Sequence, residues 1–309
     1  MILCAGEALI DMLPRKTEGG EQAFAPYPGG SVYNTAVALA RLEAPVSFFT
    51  GLSDDLFGER LTRVLSVNGV NHSLAARSSR PTTLAFVTLT GGQAAYTFYD
   101  ENTAGRMLEV DDLPEIPETC TAGFFGGISL AVEPCAEAYA TLAERMSASG
   151  RLVMLDPNIR AGFIADEKRY RTRLERLLSL ADIVKVSDED LRWIMGEGDL
   201  APLAEAMRAN GPALVLVTEG PKGVTAYGGG APIHVAAPQV EVVDTVGAGD
   251  TFNAGFLAGL LDGERLSADA VRDGLSETAL RTALDLGVRA AAVTVSRAGA
   301  NPPKRGDLA

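Results

Sequence analysis

Val243-Asp244-Thr245-Val246-Gly247-Ala248-Gly249-Asp250-Thr251-Phe252-Asn253-Ala254-Gly255-Phe256 reads as an extended apolar run ending in Asp244. It then passes through residues without side-chain bulk and enters a helix. Phe252, Phe256 and Leu260 recur at helical spacing, which predicts a helix with a buried face. Gly247, Ala248 and Gly249 then stand at its N-terminus, where amide N–H groups have no intrahelical acceptor. Such a terminus draws anions, phosphate above all. Asp250 puts one carboxylate beside that anion trap. A phosphate site with an adjacent base is what phosphoryl transfer to a hydroxyl requires. Taken alone, an aspartate in a first turn equally serves the helix dipole, so the weight rests on the other segments.

Outward from that stretch, apolar strands alternate with helical patterns. Strands are predicted over 1–5, 46–50, 122–125, 152–155, 183–186 and 213–217. Helices are predicted over 31–42, 56–67, 133–149 and 170–179. This rhythm predicts an α/β fold with a mainly parallel central sheet covered on both faces, a three-layer sandwich. Residues 83–89 and 96–99 break the rhythm as a hairpin with a turn at Gly91-Gly92-Gln93, and the Gly- and Pro-rich stretch 12–28 lacks helical period. The expected division is a core of 1–11, 31–80 and 105–309, with 12–30 and 81–104 forming a small β lid over a ligand site. Residues 223–242 read as β-rich around Gly228-Gly229-Gly230, and 302–309 as a loose polar tail.

Several motifs fall where strands should end, the edge at which ligands collect in parallel sheets. Asp11 lies beyond the first strand and suits two sugar hydroxyls. Gly30 allows close backbone approach, and Asn34, one turn on, offers both a donor and an acceptor. Asp156-Pro157-Asn158-Ile159-Arg160 offers a guanidinium for a substrate oxyanion or phosphate. Lys185-Val186-Ser187-Asp188-Glu189-Asp190 and Thr218-Glu219-Gly220-Pro221-Lys222-Gly223 follow the next two strands. Each motif alone reads as an ordinary loop; their shared placement does not.

The 309 residues are 47% hydrophobic and 22% charged, with net charge −13 and pI near 4.7. That balance argues against a broad nucleic-acid or anionic-lipid surface. Cys4, Cys120 and Cys135 are scattered, which points to a reducing compartment, and two histidines make histidine-based metal chemistry a poor expectation. No secretory signal is visible, and no apolar run reaches the roughly 20 residues of a membrane span. The expected location is cytoplasmic, without membrane or nucleic-acid partners.

From Gly6 to about Pro303 these residues resemble the PfkB family of carbohydrate kinases, the ribokinase-like family. The motif Asp244 to Phe256 and its amino-terminal counterpart Gly29-Gly30…Asn34 carry the likeness. The resemblance implies a ribokinase-like fold and ATP-dependent phosphorylation of a small hydroxylated substrate. By it Asp250 is the catalytic base, and Gly247, Ala248 and Gly249 are the anion hole. Asp11, Gly30 and Asn34 bind the sugar with Tyr96 and Phe98 of the hairpin, while Arg160 approaches substrate or phosphate. Lys185, Ser187, Thr218, Gly220, Gly223 and Asn253 lie on the nucleotide side. Mg2+ accompanies ATP, and a potassium-type cation takes backbone oxygens at Asp244, Val246, Thr294, Arg297 and Gly299.

Gly6 to Met12 and Tyr96 to Ala104 resemble those segments of bacterial fructokinases, which implies fructose as substrate and fructose 6-phosphate as product. The alternatives are a kinase for 2-keto-3-deoxygluconate, with Arg106 and Arg160 facing its carboxylate, a ribose or nucleoside kinase, and a non-catalytic sugar-binding protein. The exposed hairpin suggests a homodimer formed through the lid. Two positions depart from the family pattern. Ser187 and Asp190 stand where Asn and Glu are frequent near Mg2+, and Glu43 stands where a glycine often ends the first long helix.

Overall fold

The computed structural model describes residues 1–90 and 93–308. The chain runs β1 (Ile2–Ala5), β2 (Leu9–Lys16), β3 (Gln22–Gly29), α1 (Ser31–Arg41), β4 (Val46–Phe49), β5 (Gly51–Ser53), α2 (Leu56–Val67), β6 (Ala76–Ser78), β7 (Leu84–Thr90) and β8 (Gln93–Tyr99). It continues through β9 (Ala122–Gly126), α3 (Cys135–Ala148), β10 (Leu152–Asp156), α4 (Glu167–Leu180), β11 (Ile183–Ser187), α5 (Asp188–Met195), α6 (Leu200–Arg208) and β12 (Leu214–Thr218). β13 (Val224–Tyr227), β14 (Ile233–Val235), α7 (Ala248–Asp262), α8 (Ala268–Arg272) and α9 (Glu277–Val295) complete it.

Eight strands form one sheet in the order β14-β13-β12-β11-β10-β9-β1-β4. It is parallel from β4 to β12 and antiparallel where β13 and β14 extend it. Both faces are covered, so these strands are apolar at successive positions rather than alternate ones. Ile2 and Cys4 of β1, with Leu152 and Met154 of β10, join the core beneath α1, α7 and α9. Leu3, Ala5, Val153 and Leu155 join the core beneath α3, α4, α5 and α6. Each large aliphatic side chain taken fully from water contributes about 1.5–3 kcal/mol. Among the described residues no helix is long and apolar enough to cross a membrane.

α7 departs from the expectation of one buried face. Every residue from Asp250 to Leu260 is buried, because α7 is enclosed by the sheet, α1 and α9. Its contact with α9 is made by small residues. A Cβ on Gly255 would stand 2.7 Å from Gly287 Cα, and one on Gly259 would stand 2.6 Å from Ala283 Cα. The tail also departs from expectation. Pro302 and Pro303 are buried, Arg41 donates to the Pro302 carbonyl at 2.7 Å, and Arg297 and Arg305 pair with Asp307 and Asp262. The region after β14 is an exposed connection without further strands, so the β-rich reading of 223–242 holds only through Val235.

Four strands form a second sheet in the order β3-β2-β7-β8, which joins the two segments read as a lid. β2 begins at Leu9, before the expected boundary at residue 12. β7 and β8 pair antiparallel from Leu84↔Tyr99 to Thr90↔Gln93; Gly91 and Gly92 of the expected turn lie outside the described residues. Register puts Leu9 and Asp11 on the same face as Tyr96 and Phe98, and that face overlooks the C-terminal edge of the large sheet. The base of the sheet is held where β7 begins and β8 ends. Thr103 and Thr83 share a hydrogen bond at 2.8 Å, and Arg106 grips both oxygens of Asp100 at 3.1 Å.

Candidate active site

A cavity of about 290 Å³ opens between the two sheets. Its floor is the first turn of α7 and its walls are strand ends of the large sheet. The backbone reaches that turn through Gly247, whose φ of 79° is left-handed and costs glycine nothing. Ala248 N–H goes to the Thr245 carbonyl at 3.3 Å and Thr251 N–H to the Gly247 carbonyl at 2.9 Å. Among the described residues the N–H groups of Gly249 and Asp250 have no protein acceptor. Gly247 N–H likewise has no protein acceptor, so of the three residues read as the anion hole only Ala248 has its amide engaged. The free amides remain available to a phosphate oxygen.

Asp250 is 8% exposed and lines the cavity. Burial pushes its carboxyl up to about 7; the bond from Asn34 opposes this, Asp156 adds to it, Lys185 opposes it, and Glu7 adds to it. A base near neutrality combines the ionised form with useful proton affinity. Asn34 Nδ2 donates to Asp250 Oδ2 at 2.9 Å, and Thr35 Oγ1 donates to the Asp250 carbonyl at 3.2 Å, so α1 is fastened to α7 at the reacting end.

Asp11, Gly30, Asn34, Tyr96, Phe98 and Arg160 all line the same cavity. Burial raises the Asp11 carboxyl to about 6. Gly30 adopts φ 109°, and a Cβ there would stand 2.7 Å from the Glu7 carbonyl. Tyr96 stacks on Phe98 at 6.0 Å, and Phe98 meets Phe163 at 4.6 Å. Phe163 closes the short turn that follows Arg160, so the small sheet rests on the loop carrying the guanidinium. Arg160 folds back on that loop, donating to Asn158 Oδ1 at 2.9 Å and to the Ile159 carbonyl at 3.0 Å.

The nucleotide-side residues divide. Lys185 lines the cavity, with Nζ 3.0 Å from Asp156 Oδ2. Ser187, Thr218, Gly220 and Gly223 lie along the neighbouring strand ends, outside it. Ser187 caps α5 by accepting from Asp190 N–H at 2.9 Å. Thr218 donates to the Val186 carbonyl at 3.3 Å, and Gly220 and Gly223 make a tight left-handed turn. Asn253 is fully buried, off the cavity lining, and donates to Asp156 Oδ2 at 2.7 Å.

Among the described residues no group of three His, Cys, Asp or Glu is arranged to hold a metal. The potassium-type set has a different basis. Asp244 accepts from Val246 N–H at 3.0 Å and from Gly299 N–H at 2.9 Å, drawing together the loops whose carbonyls would face a cation. Thr294 is buried in the same place, and Arg297 N–H takes its carbonyl at 3.0 Å.

Glu7 is the charged cavity residue that sequence reasoning passed over. It follows β1 with only Gly6 between, closer to that strand end than Asp11. Its carboxylate accepts from Ser31 N–H at 2.7 Å, Val32 N–H at 3.4 Å and Ser129 N–H at 3.3 Å. It thus holds the start of α1 against the turn after β9. Burial raises its carboxyl, and those amide bonds oppose the rise. Arg106, offered as a partner for a carboxylated sugar, is absent from this cavity. Its charge is taken by Asp100 and its Nε by the Glu133 carbonyl at 3.2 Å.

The chain matches the pfkB family carbohydrate kinase model over residues 1–305. It is 50% identical over 285 residues to a fructokinase of Rhizobium leguminosarum bv. trifolii, covering 92% of this chain and 87% of that protein. It is 33% identical to the fructokinase of Klebsiella pneumoniae, covering 98% of this chain and 96% of that one. Among solved structures, Xylella fastidiosa fructokinase with bound ATP superposes with a TM-score of 0.89 at 30% identity, over 99% of this chain and 97% of that one. Vibrio cholerae O395 fructokinase in its fructose, ADP and calcium ion bound form gives 0.87 at 26% identity, over 99% and 97%. With that match spanning nearly the whole chain and the two-sheet architecture in place, the chain belongs to the pfkB family of carbohydrate kinases.

Proposed function

We propose that this protein transfers the γ-phosphoryl group of ATP to the C6 hydroxyl of fructose. The observation that carries this reading is the Asp250 carboxylate, buried on the cavity floor beside the free amides of α7 and bonded to Asn34. The sugar lies between Gly30 and Asn34 below and Asp11, Tyr96 and Phe98 of the small sheet above. Asp250 takes the hydroxyl proton as the sugar oxygen bonds to phosphorus and the bond to the ADP oxygen breaks. The proton ends on Asp250, and the negative charge leaves on ADP. The Gly249 and Asp250 amides and the Lys185 ammonium face the transferring oxygens. Two relatives named as fructokinases and solved fructokinases with ATP, or with fructose and ADP, support the choice of donor and acceptor. Arg106, engaged by Asp100, weighs against a carboxylated sugar.

Mg2+ is proposed to enter with the nucleotide. Asp156 Oδ1 is buried without a partner and Asp190 lies beside it, its carboxyl raised to about 6 by burial and then by Asp156. Such carboxylates suit a hard cation already held by phosphates, and the ion would neutralise phosphate charge. A potassium-type ion fits the loop pair that Asp244 ties together. The outer face of the small sheet carries Phe24, Phe86 and Tyr99 in edge contacts, with Tyr99 61% exposed. An apolar face of this kind supports a dimer of two such sheets, and Tyr99→Lys would then sediment as a monomer. Free buried thiols and an ATP donor support a cytoplasmic location.

The test is sugar-dependent ADP release with ATP and fructose, 2-keto-3-deoxygluconate, ribose or adenosine. Fructose is expected to give a kcat/KM at least about tenfold above the others. A higher value for any other acceptor overturns fructose, and no sugar-dependent release with any of them overturns the kinase reading.

A further inference from the structure

Asp156 is the most deeply buried carboxylate at the cavity, 1% exposed. It ends β10, in step with Met154, and Met154 belongs to the core under α7. Lys185 stands in the same relation to Ile183 on β11, and Met154 and Ile183 are register partners. Strand alternation therefore turns both charged side chains to the face on which α7 lies. There Asp156 Oδ2 accepts from Lys185 Nζ at 3.0 Å and from Asn253 Nδ2 at 2.7 Å. Asn253 follows Asp250 by three positions on α7, the same side of the helix. The ammonium ends 3.1 Å from the point where a Gly249 Cβ would be. A single carboxylate oxygen thus joins β10, β11 and α7 next to the base.

A lysine ammonium beside the positive end of a helix is an unfavourable placement unless an anion holds it there. Neither burial nor fold connectivity supplies that anion; Asp156 does. The groups facing Asp250 are Asn34 from α1, Glu7 after β1, Asp156 from β10 and Lys185 from β11. The charges of Asp156 and Lys185 act on Asp250 with opposite sign.

Resting on the kinase reading above, we infer that Asp156 is a positioning residue for phosphoryl transfer, docking the Lys185 ammonium against Gly249 and setting the charge that Asp250 meets. It fixes where the positive charge stands when the transferring phosphoryl group arrives, and it keeps that charge from weakening the base. Asn253 is the second arm that holds the carboxylate to α7.

The experiment uses the full chain, with Asp156→Asn and Lys185→Met compared against wild type. Carbon-13 NMR of the aspartate carboxyls follows the Asp250 titration without substrate. Asp156→Asn removes a negative neighbour, so the Asp250 midpoint moves down from about 7. Lys185→Met removes a positive neighbour, so the midpoint moves up. With ATP and fructose both variants lose about 10²-fold in kcat, while the sugar KM stays within about threefold. A purely structural role would lower the melting temperature and leave the midpoint in place. Midpoints that stay or move in the same direction, or an Asp156→Asn kcat within about threefold of wild type, overturn the inference. Should Asp156→Asn not fold, Lys185→Met alone must raise the midpoint and reduce kcat, and failure of either is decisive. The NMR arm needs no sugar, so an incorrect acceptor would not imitate failure of the positioning role.

Discussion

Asn34 donates its side-chain amide to Asp250 Oδ2 at 2.9 Å, joining the opening turns of α1 and α7 across the cavity floor. The bond favours the ionised carboxylate, while burial favours the neutral acid. One amide therefore aims the base and moderates its proton affinity. Asp250→Asn keeps the shape and can still accept from Asn34, but cannot take a proton. Turnover is expected to fall by about 10²–10⁴-fold with ATP affinity retained. Steady-state kinetics with calorimetric ATP titration checks this, and turnover within about fivefold of wild type would remove Asp250 as the base.

The pH dependence follows from the same group. As the proposed base, Asp250 would act only when deprotonated, and burial pushes its carboxyl up to about 7. kcat/KM for the sugar is therefore expected to fall about tenfold per pH unit below that point. Asn34→Ala deletes a bond to the ionised form, so its acidic limb lies at higher pH than that of wild type. A limb unmoved in Asn34→Ala would show that the amide does not bear on the base.

Stability moves in the opposite sense to activity. The folded pKa of Asp250 lies above the ordinary aspartate value, so over the interval between them the native state binds more protons than the unfolded chain. Stability then declines as pH rises from about 4 to about 7. Asp11 and Asp190, both raised to about 6, act with the same sign up to that point. At pH 8 Asp250→Asn should be more stable than wild type by about 1–3 kcal/mol, and the difference should vanish near pH 4. Thermal melts across that range test it, and a wild type more stable than the variant at pH 8 contradicts it.

The base and its helix were legible because small residues, an aspartate and then helical spacing occur in unbroken order from Gly247 to Phe256. Gly30 and Asn34 were legible for a related reason, standing where β3 passes into α1, whereas Asp11 lies within β2 and not in a loop beyond the first strand. What local pattern could not supply was packing around a helix. Phe252 and Phe256 indicate one buried face; the other sides of α7 are closed by α1 and α9, and its contact with α9 runs through Gly255 and Gly259, which carry no hydrophobic signal. Asp156 and Lys185 were visible as strand-end residues, but their meeting depends on the pairing of β10 with β11, which no local window contains. Arg106 shows the reverse case: an available charge in sequence, already engaged by Asp100 in space.

The α7–α9 contact yields a packing prediction. A Cβ on Gly259 would stand 2.6 Å from Ala283 Cα, a backbone atom that cannot rotate away. Gly259→Val should destabilise the fold by about 2–3 kcal/mol through helix separation. Gly230, with nothing within 4 Å of its Cβ position, is the control, and Gly230→Ala should melt within a degree or so of wild type. Equal melting of Gly259→Val and wild type would mean that the two helices are not in close contact.

The end of α1 supplies a stabilising change remote from the chemistry. Glu43 N–H donates to the Ala40 carbonyl at 3.0 Å and Ala44 N–H to the Leu39 carbonyl at 3.0 Å, the paired closure that ends a helix through a left-handed residue. Glu43 is that residue, with φ 64°. A side chain in that conformation costs about 1–2 kcal/mol, and among the described residues the exposed Glu43 side chain makes no hydrogen bond or ion pair that would offset it. Glycine relieves the strain but loses more backbone entropy on folding, about 0.5–1 kcal/mol. The difference leaves Glu43→Gly more stable by about 0.5–1 kcal/mol, a rise in melting temperature of roughly 1–2 °C. Glu43→Ala keeps the Cβ and should show no such gain. Kinetics should be unchanged, since Glu43 lies at the far end of α1 from Asn34. A Glu43→Gly melting point at or below that of wild type would show that this turn is not strained.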